Sequence, residues 1–431
     1  MPRHARTLAA GPSRRPGPGL KRSLPYWLIP LAVVLPRLAA LLHERGAITA
    51  AFTDKGDDFA LTFVHTGTYG FIPGQPSADT QPLYGFFLVP IYWILGRHWL
   101  WIGLAQIAVA LAVAWLVFLI GKRIADERVG LVAALLTTLH PYLVWHDVHM
   151  NREILDQLLA AALVLLALLV DERPTLLRAG ALGAVLGVAV LGNARLILLP
   201  VVVGGWLLWK RPRIVAALGV MLAAFAVALA PWVVRNKVEL GCYAITTDGR
   251  ALWKANNPAT YGVLARGGWI DDVPKLPNSG YTPQEARDHW LQTGQIWHID
   301  ECAQMTRFER LAFRFMVDHP AEKAKLMRQA TVMLWQPSVA TTEGRPNQGG
   351  ALDTLRTTAE PAFVVVLYVL GIAGVFLVPR RFAALVVLLL VYQWLFALLF
   401  AGDTRYRVPW DFLIALCAAA ALVRLWERVR S

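Results

Sequence analysis

The chain is poor in charge and nearly devoid of cysteine. Only 16% of its 431 residues are Asp, Glu, Lys or Arg, against about 25% in soluble globular domains. Three cysteines are too few for a disulfide-built scaffold. No internal repeat occurs, and no low-complexity tract lies beyond the first 24 residues. Acids are the scarcer sign, 29 against 42 Lys and Arg. A net charge of +13 would suit nucleic acid, but the basic residues sit in short clusters between apolar runs, where they act as topology signals. Nucleic acid is therefore excluded as a partner.

What the chain has in abundance is apolar sequence, 56% of all residues. Runs of about 20 such residues span a bilayer. Spans are predicted at about 25–43, 99–120, 129–145, 154–170, 179–193, 196–209, 214–234, 361–378, 382–400 and 408–426. The two runs flanking Arg195 are short and also read as one broken unit. The fold class is thus an all-α polytopic membrane protein with about ten transmembrane helices, embedded in the lipid bilayer. The run 83–95 is only about 13 residues long, a length suited to an interfacial or re-entrant segment.

Alternate connections carry the basic residues: Lys122, Arg123 and Arg128; Arg173 and Arg178; Lys210, Arg211 and Arg213; Arg380 and Arg381; then Arg424, Arg428 and Arg430. This pattern places both termini in the cytoplasm and the remaining connections outside. The organisation expected is a disordered basic tail over 1–24, an N-terminal membrane module over 25–234 with an outer loop at 44–98, an outer lobe over 235–360, and C-terminal membrane helices over 361–431. The lobe has amphipathic stretches at 283–295 and 301–317, a third helix at 319–335 started by Pro320, and a polar linker at 341–350. Cys242 and Cys302 both fall in the lobe, where a disulfide and two free thiols are both open.

The outer loop is the chemical centre. It reads AFTDKGDDFALTFVHTGTYGFIPGQPSADTQPLYGFFL over 51–88, with Asp54, Asp57 and Asp58 close together and many Gly and Pro after them. The stretches DDFALTFVHTGTYGF and PSADTQPLYGFFLVPIYWILG resemble the first outer loop of the GT-C class of polytopic lipid-linked-sugar glycosyltransferases. Within that class they are closest to protein mannosyltransferases and lipid A aminoarabinose transferases. Pro141 with Glu153, PWVVRN at 231–236, GRALWKANNP at 249–258, DHPAEKAKL at 318–326, LWQP at 334–337 and GDTRYRVP at 402–409 follow in the family's order, so the resemblance covers most of the chain from residue 25. The family more often has Asp-Glu and Tyr where this chain has Asp57, Asp58 and Phe59.

The resemblance implies transfer of a sugar from a polyprenyl-phosphate donor to a lipid, glycan or protein acceptor, with inversion, on the extracytoplasmic side of a cell membrane, the bacterial inner membrane. The acceptor hydroxyl must lose a proton, which calls for a carboxylate. The departing phosphate needs cations. Asp57 aligns with the family's first acid and is the expected base. Its plainer reading is an acid before a short helix at 59–65, where the dipole favours it. Asp58 is a helper or a capping residue, and Asp54 a solvated acid. Glu153, at the head of a span, is the expected second carboxylate; Arg152 beside it reads as its neutraliser. Asp156 one turn on is an intramembrane acid.

The phosphate is assigned to Arg235, Lys254 and Arg405, with Arg195 behind them. Tyr69, Asn256, Asn257 and Tyr406 are candidates for sugar or headgroup, with turn chemistry the equal alternative for the two Asn. Arg37 is expected to pair with an acid of the opening loop or to snorkel. His140, His146, Asp147 and His149 form a cluster without a strong metal spacing. Members of the class differ in using a divalent cation, so His146 and His149 stand as weak metal candidates and no cofactor is assigned. The rival class is a transporter or flippase of lipid-linked sugars. Its pathway would have to reach both faces, whereas the charges here gather on one.

Overall fold

The computed structural model describes residues 25–50, 54–209, 214–276, 280–337 and 351–430, with side chains in the last stretch from 358. The expected tail at 1–24, the linker at 341–350 and the basic cluster at 210–213 lie outside them. The described residues are helical throughout apart from turns and one isolated bridge, Ile72 to Gln75.

Six helices are long and apolar enough to cross a membrane: Trp99–Ile124, Glu153–Glu172, Val215–Leu240, Thr358–Val375, Arg380–Leu399 and Thr404–Arg430. Leu28–Glu44, Glu127–Thr138, Leu176–Gly192 and Ala194–Leu208 occupy the other expected spans but are shorter. The expected run 129–145 breaks at Leu139 and His140, because Pro141 cannot donate to the helix and biases the residue before it out of the helical region. A separate short helix, Pro141–His146, follows.

Close packing between the membrane helices depends on glycine. A Cβ on Gly183 would lie 2.0 Å from the Met221 carbonyl oxygen, and one on Gly374 would lie 1.8 Å from that of Cys417. Small residues let backbones approach this closely, which is how helices associate where lipid is as apolar as Leu. Residues 411–421 of the last span are buried without exception, so this helix forms the centre of the C-terminal half.

The opening loop folds into two helices, Lys55–Thr66 and Pro82–Leu95. The first starts four residues earlier than expected. Asp54 caps it by accepting from the Gly56 amide, so Asp57 and Asp58 stand in its first turn. It ends at Gly67 with φ of 74°, a conformation that favours glycine.

The lobe adds Gly249–Lys254, Thr260–Ala265, Pro283–Thr293, Glu301–Asp318 and Pro320–Trp335. It docks on the opening loop through buried bonds. Glu301 accepts from the Ala78 amide and the Thr247 hydroxyl. The Ala78 carbonyl accepts from the Thr247 amide and the Thr246 hydroxyl. Cys242 and Cys302 are paired, resolving the open choice between disulfide and thiols.

Candidate active site

The three acids of the opening loop have three different settings. Asp57 is 2% exposed. It accepts from the Tyr92 hydroxyl at 2.5 Å and from Arg97 through Nε at 2.9 Å and Nη2 at 2.7 Å. Both of its oxygens are therefore engaged by strong donors. Asp58 pairs with Arg287 of the lobe at 2.8 Å. Asp54 uses Oδ1 for its cap at 2.7 Å, and its Oδ2 makes no hydrogen bond among the described residues. It is half-buried. Burial pushes its carboxyl above the usual range; nearby Arg152 opposes the rise and Glu153 adds to it. The acid read as solvated is thus the one that shares a field with Glu153.

Glu153 opens its helix at 8% exposure and makes no hydrogen bond among the described residues. Arg152, the residue before it, donates to the Gln81 side chain of the opening loop. The charges of Glu153, Asp54 and Asp156 and the Tyr406 hydroxyl all bear on Arg152. One turn into the helix, Asp156 accepts from Asn193 at 2.9 Å. Asn193 in turn caps the turn that carries Arg195. The Arg195 guanidinium lies 3.5 Å over the Tyr406 ring, close enough to Arg152 and Arg405 for the three charges to interact. Arg405 donates to the Tyr406 hydroxyl at 2.8 Å. Asp54, Arg152, Glu153, Asp156, Arg195, Arg405 and Tyr406 therefore form one cluster, drawn from four separate stretches of chain.

A buried amide holds two of those stretches in register. Gln106, fully buried in the helix Trp99–Ile124, accepts from the Tyr84 hydroxyl at 2.7 Å. It donates to the carbonyls of Asp147 at 2.6 Å and His149 at 2.8 Å. Tyr84 belongs to the opening loop, while residues 147–149 lead into Arg152 and Glu153.

The remaining expected residues lie elsewhere. Arg235 donates to the carbonyls of Ser77 and Tyr69 and to Asn236, clamping the opening loop. Tyr69 donates to the Pro82 carbonyl at 2.9 Å. Both line a mainly apolar groove of about 650 Å³ with Phe63, Phe86, Trp232 and Glu239. Gly192 separates this groove from the charged cluster. A Cβ there would meet Leu83, which lines the groove, at 2.9 Å and Asp156 Oδ1 at 3.3 Å.

Lys254 pairs with Asp271 at 2.7 Å. The Asn256 amide donates to the carbonyls of Leu252 and Leu399 and accepts from Lys323. Asn257 bonds Trp253, Lys254 and the Ala259 amide. The side chains of both Asn are thus hydrogen-bonded inside the fold.

Arg37 pairs with Asp147 at 2.7 Å, not with the opening loop, because the turn after Thr138 brings Asp147 onto the first helix. His149 faces Glu44 at 3.6 Å, His140 faces Asp411 at 3.5 Å, and His146 stacks on Tyr142. Among the described residues no three His, Cys, Asp or Glu side chains converge as a metal set.

Residues 77–234 match the family described as dolichyl-phosphate-mannose-protein mannosyltransferase, a glycosyltransferase family. Among solved structures, the oligosaccharyltransferase AglB from Archaeoglobus fulgidus, in complex with an inhibitory peptide and a dolichol-phosphate, aligns with a TM-score of 0.52 at 12% identity. The alignment covers 94% of this chain and 51% of that chain. ArnT from Cupriavidus metallidurans, bound to undecaprenyl phosphate, aligns with a TM-score of 0.43 at 13% identity over 92% and 77% of the two chains. The chain spans about half the length of the archaeal structure, and at such identity the likeness is one of fold. No curated protein matches the sequence.

Proposed function

We propose, on the match of residues 77–234 to the mannosyltransferase family, that the chain transfers a sugar from a polyprenyl-phosphate donor to an acceptor hydroxyl on the extracytoplasmic face, with inversion. One observation carries this reading. Asp54 Oδ2 and the Glu153 carboxylate, which accept no hydrogen bond among the described residues, share the field of Arg152, and Arg152 in turn interacts with Arg195 beside Arg405.

In this reading the acceptor hydroxyl gives its proton to Asp54 Oδ2 as its oxygen attacks the anomeric carbon. The bond from that carbon to the phosphate oxygen breaks, and the phosphate leaves with the electron pair. Asp54 suits the base role because burial lifts its carboxyl towards the working pH. Asp57 does not, because Arg97 and Tyr92 occupy it. Glu153 orients the acceptor. Arg195 and Arg405 take the growing charge on the phosphate, with guanidinium forks matched to it. The adjoining groove lined by Tyr69, Phe86 and Trp232 receives apolar parts of the carrier, with Arg235 at its rim. No role is assigned to Asn256 or Asn257, and Lys254 acts through Asp271.

The test compares Asp54→Asn with Asp57→Asn in cells, using mass spectrometry of lipid, glycan and protein products against cells without the intact gene. Asp54→Asn should lower transfer about 100-fold or more while leaving folded protein in the membrane. Undiminished transfer by Asp54→Asn, together with a folded but inactive Asp57→Asn, would return the base role to Asp57.

A further inference from the structure

The lobe helix Glu301–Asp318 is tied at both ends to the ends of membrane helices. Cys302, in its first turn, is bonded to Cys242 with the two Cα atoms 6.0 Å apart. Cys242 stands two residues beyond Val215–Leu240. Just past the other end, Lys323 donates to the carbonyls of Leu398 at 2.7 Å and Leu399 at 3.2 Å, the last residues of Arg380–Leu399. Both anchors lie at the C-terminal ends of helices long and apolar enough to cross a membrane. A helix of 18 residues, about 27 Å long, strung between them has the length and the anchors to lie along the membrane surface.

One face of this helix is used by the lobe: Phe308 and Ala312 pack with Leu252 and Trp253. The opposite face carries Arg310, Phe313, Arg314 and Val317, spaced i, i+3, i+4 and i+7, all exposed. Phe313 is 54% and Val317 77% exposed, large apolar side chains left uncovered by the described residues. The acids after residue 301 are Glu309, which is half-buried, and Asp318, exposed at the last position of the helix, so against Arg310 and Arg314 that face keeps a net positive charge. Cations beside large apolar side chains, on a helix lying in the membrane plane, are the composition of an interfacial lipid contact.

We infer that the Arg310–Val317 face binds anionic phospholipid. Phe313 and Val317 enter the boundary of the acyl region, and Arg310 and Arg314 pair with phosphodiester headgroups. A contact of this kind fixes the height of the lobe over the bilayer.

Two measurements on the full chain in nanodiscs test this. Cys417 is buried and the other cysteines are bonded, so Val317→Cys can be labelled selectively with a fluorophore. Quenching by lipids spin-labelled near the headgroup should exceed quenching by aqueous iodide several-fold. Quenching by iodide alone would overturn the placement and turn this face towards water or a soluble acidic partner. Exchanging phosphatidylcholine for phosphatidylglycerol should raise the melting temperature of the parent protein. In the double variant Arg310→Gln, Arg314→Gln that gain should fall by at least half. An equal gain in parent and variant would overturn the charge recognition.

Discussion

Asp54, Asp57 and Asp58 are alike in sequence and unlike in the fold, and the difference lies in their distant partners. Arg97 and Arg287 claim Asp57 and Asp58, which leaves Asp54 to face Glu153. Nothing local announces this. A cue existed in the Gly two residues after Asp54, since Asp before such a turn is a strong helix cap. The pairing of Asp57 with Arg97 has its own consequence. Asp57 is 2% exposed, so Arg97→Gln strands a buried charge and should cost about 3 kcal/mol, read as a lower melting temperature. Adding Asp57→Asn removes that charge and should restore part of the loss. If the double variant is no better than the single, the pair is not what stabilises the loop.

Among the helices, the six long apolar ones were legible from the length of their apolar runs. The lobe helices were close to their expected bounds because Pro and capping residues mark their starts, as in the Thr282 and Glu285 box before Pro283–Thr293. The break at His140 was less visible, because the apolar run continues through it. Lys323 was also hidden. It lies in a recognisable stretch, but its task is to cap another helix, Arg380–Leu399, and to hold Asn256. Burial pushes its amine down to about 8, against about 10.4 in an unfolded chain. Between those values the unfolded chain holds more proton than the folded one, so stability rises with pH across that window, and below it this group adds no pH dependence. Melting temperatures at pH 7.5 and 9.5 should show this rise in the parent protein, and Lys323→Met should flatten it. An unchanged pH slope in the variant would show that Lys323 is not the group responsible.

Across the molecule, the charged cluster is assembled from parts far apart in the chain. Resemblance to the GT-C class indicated which stretches would meet, but periodicity and charge pattern could not say how. Lys55 bridges Asp79 of the opening loop at 2.8 Å and Asp248 of the lobe at 3.6 Å, so the loop and the lobe form one unit around the site. The Ala78 backbone makes the order of events explicit. Among the described residues its amide and carbonyl are satisfied by Glu301, Thr246 and Thr247, more than 160 residues later in synthesis. The segment is therefore translated early and completed late, because contacts so distant must wait for the intervening chain. A chain truncated after residue 234 should insert its first helices yet leave the opening loop open to protease, whereas the full chain protects it. Equal protection in the two would mean that the loop folds without the lobe. In the growing protein, the loop must wait, exposed on the membrane surface, for a partner not yet made.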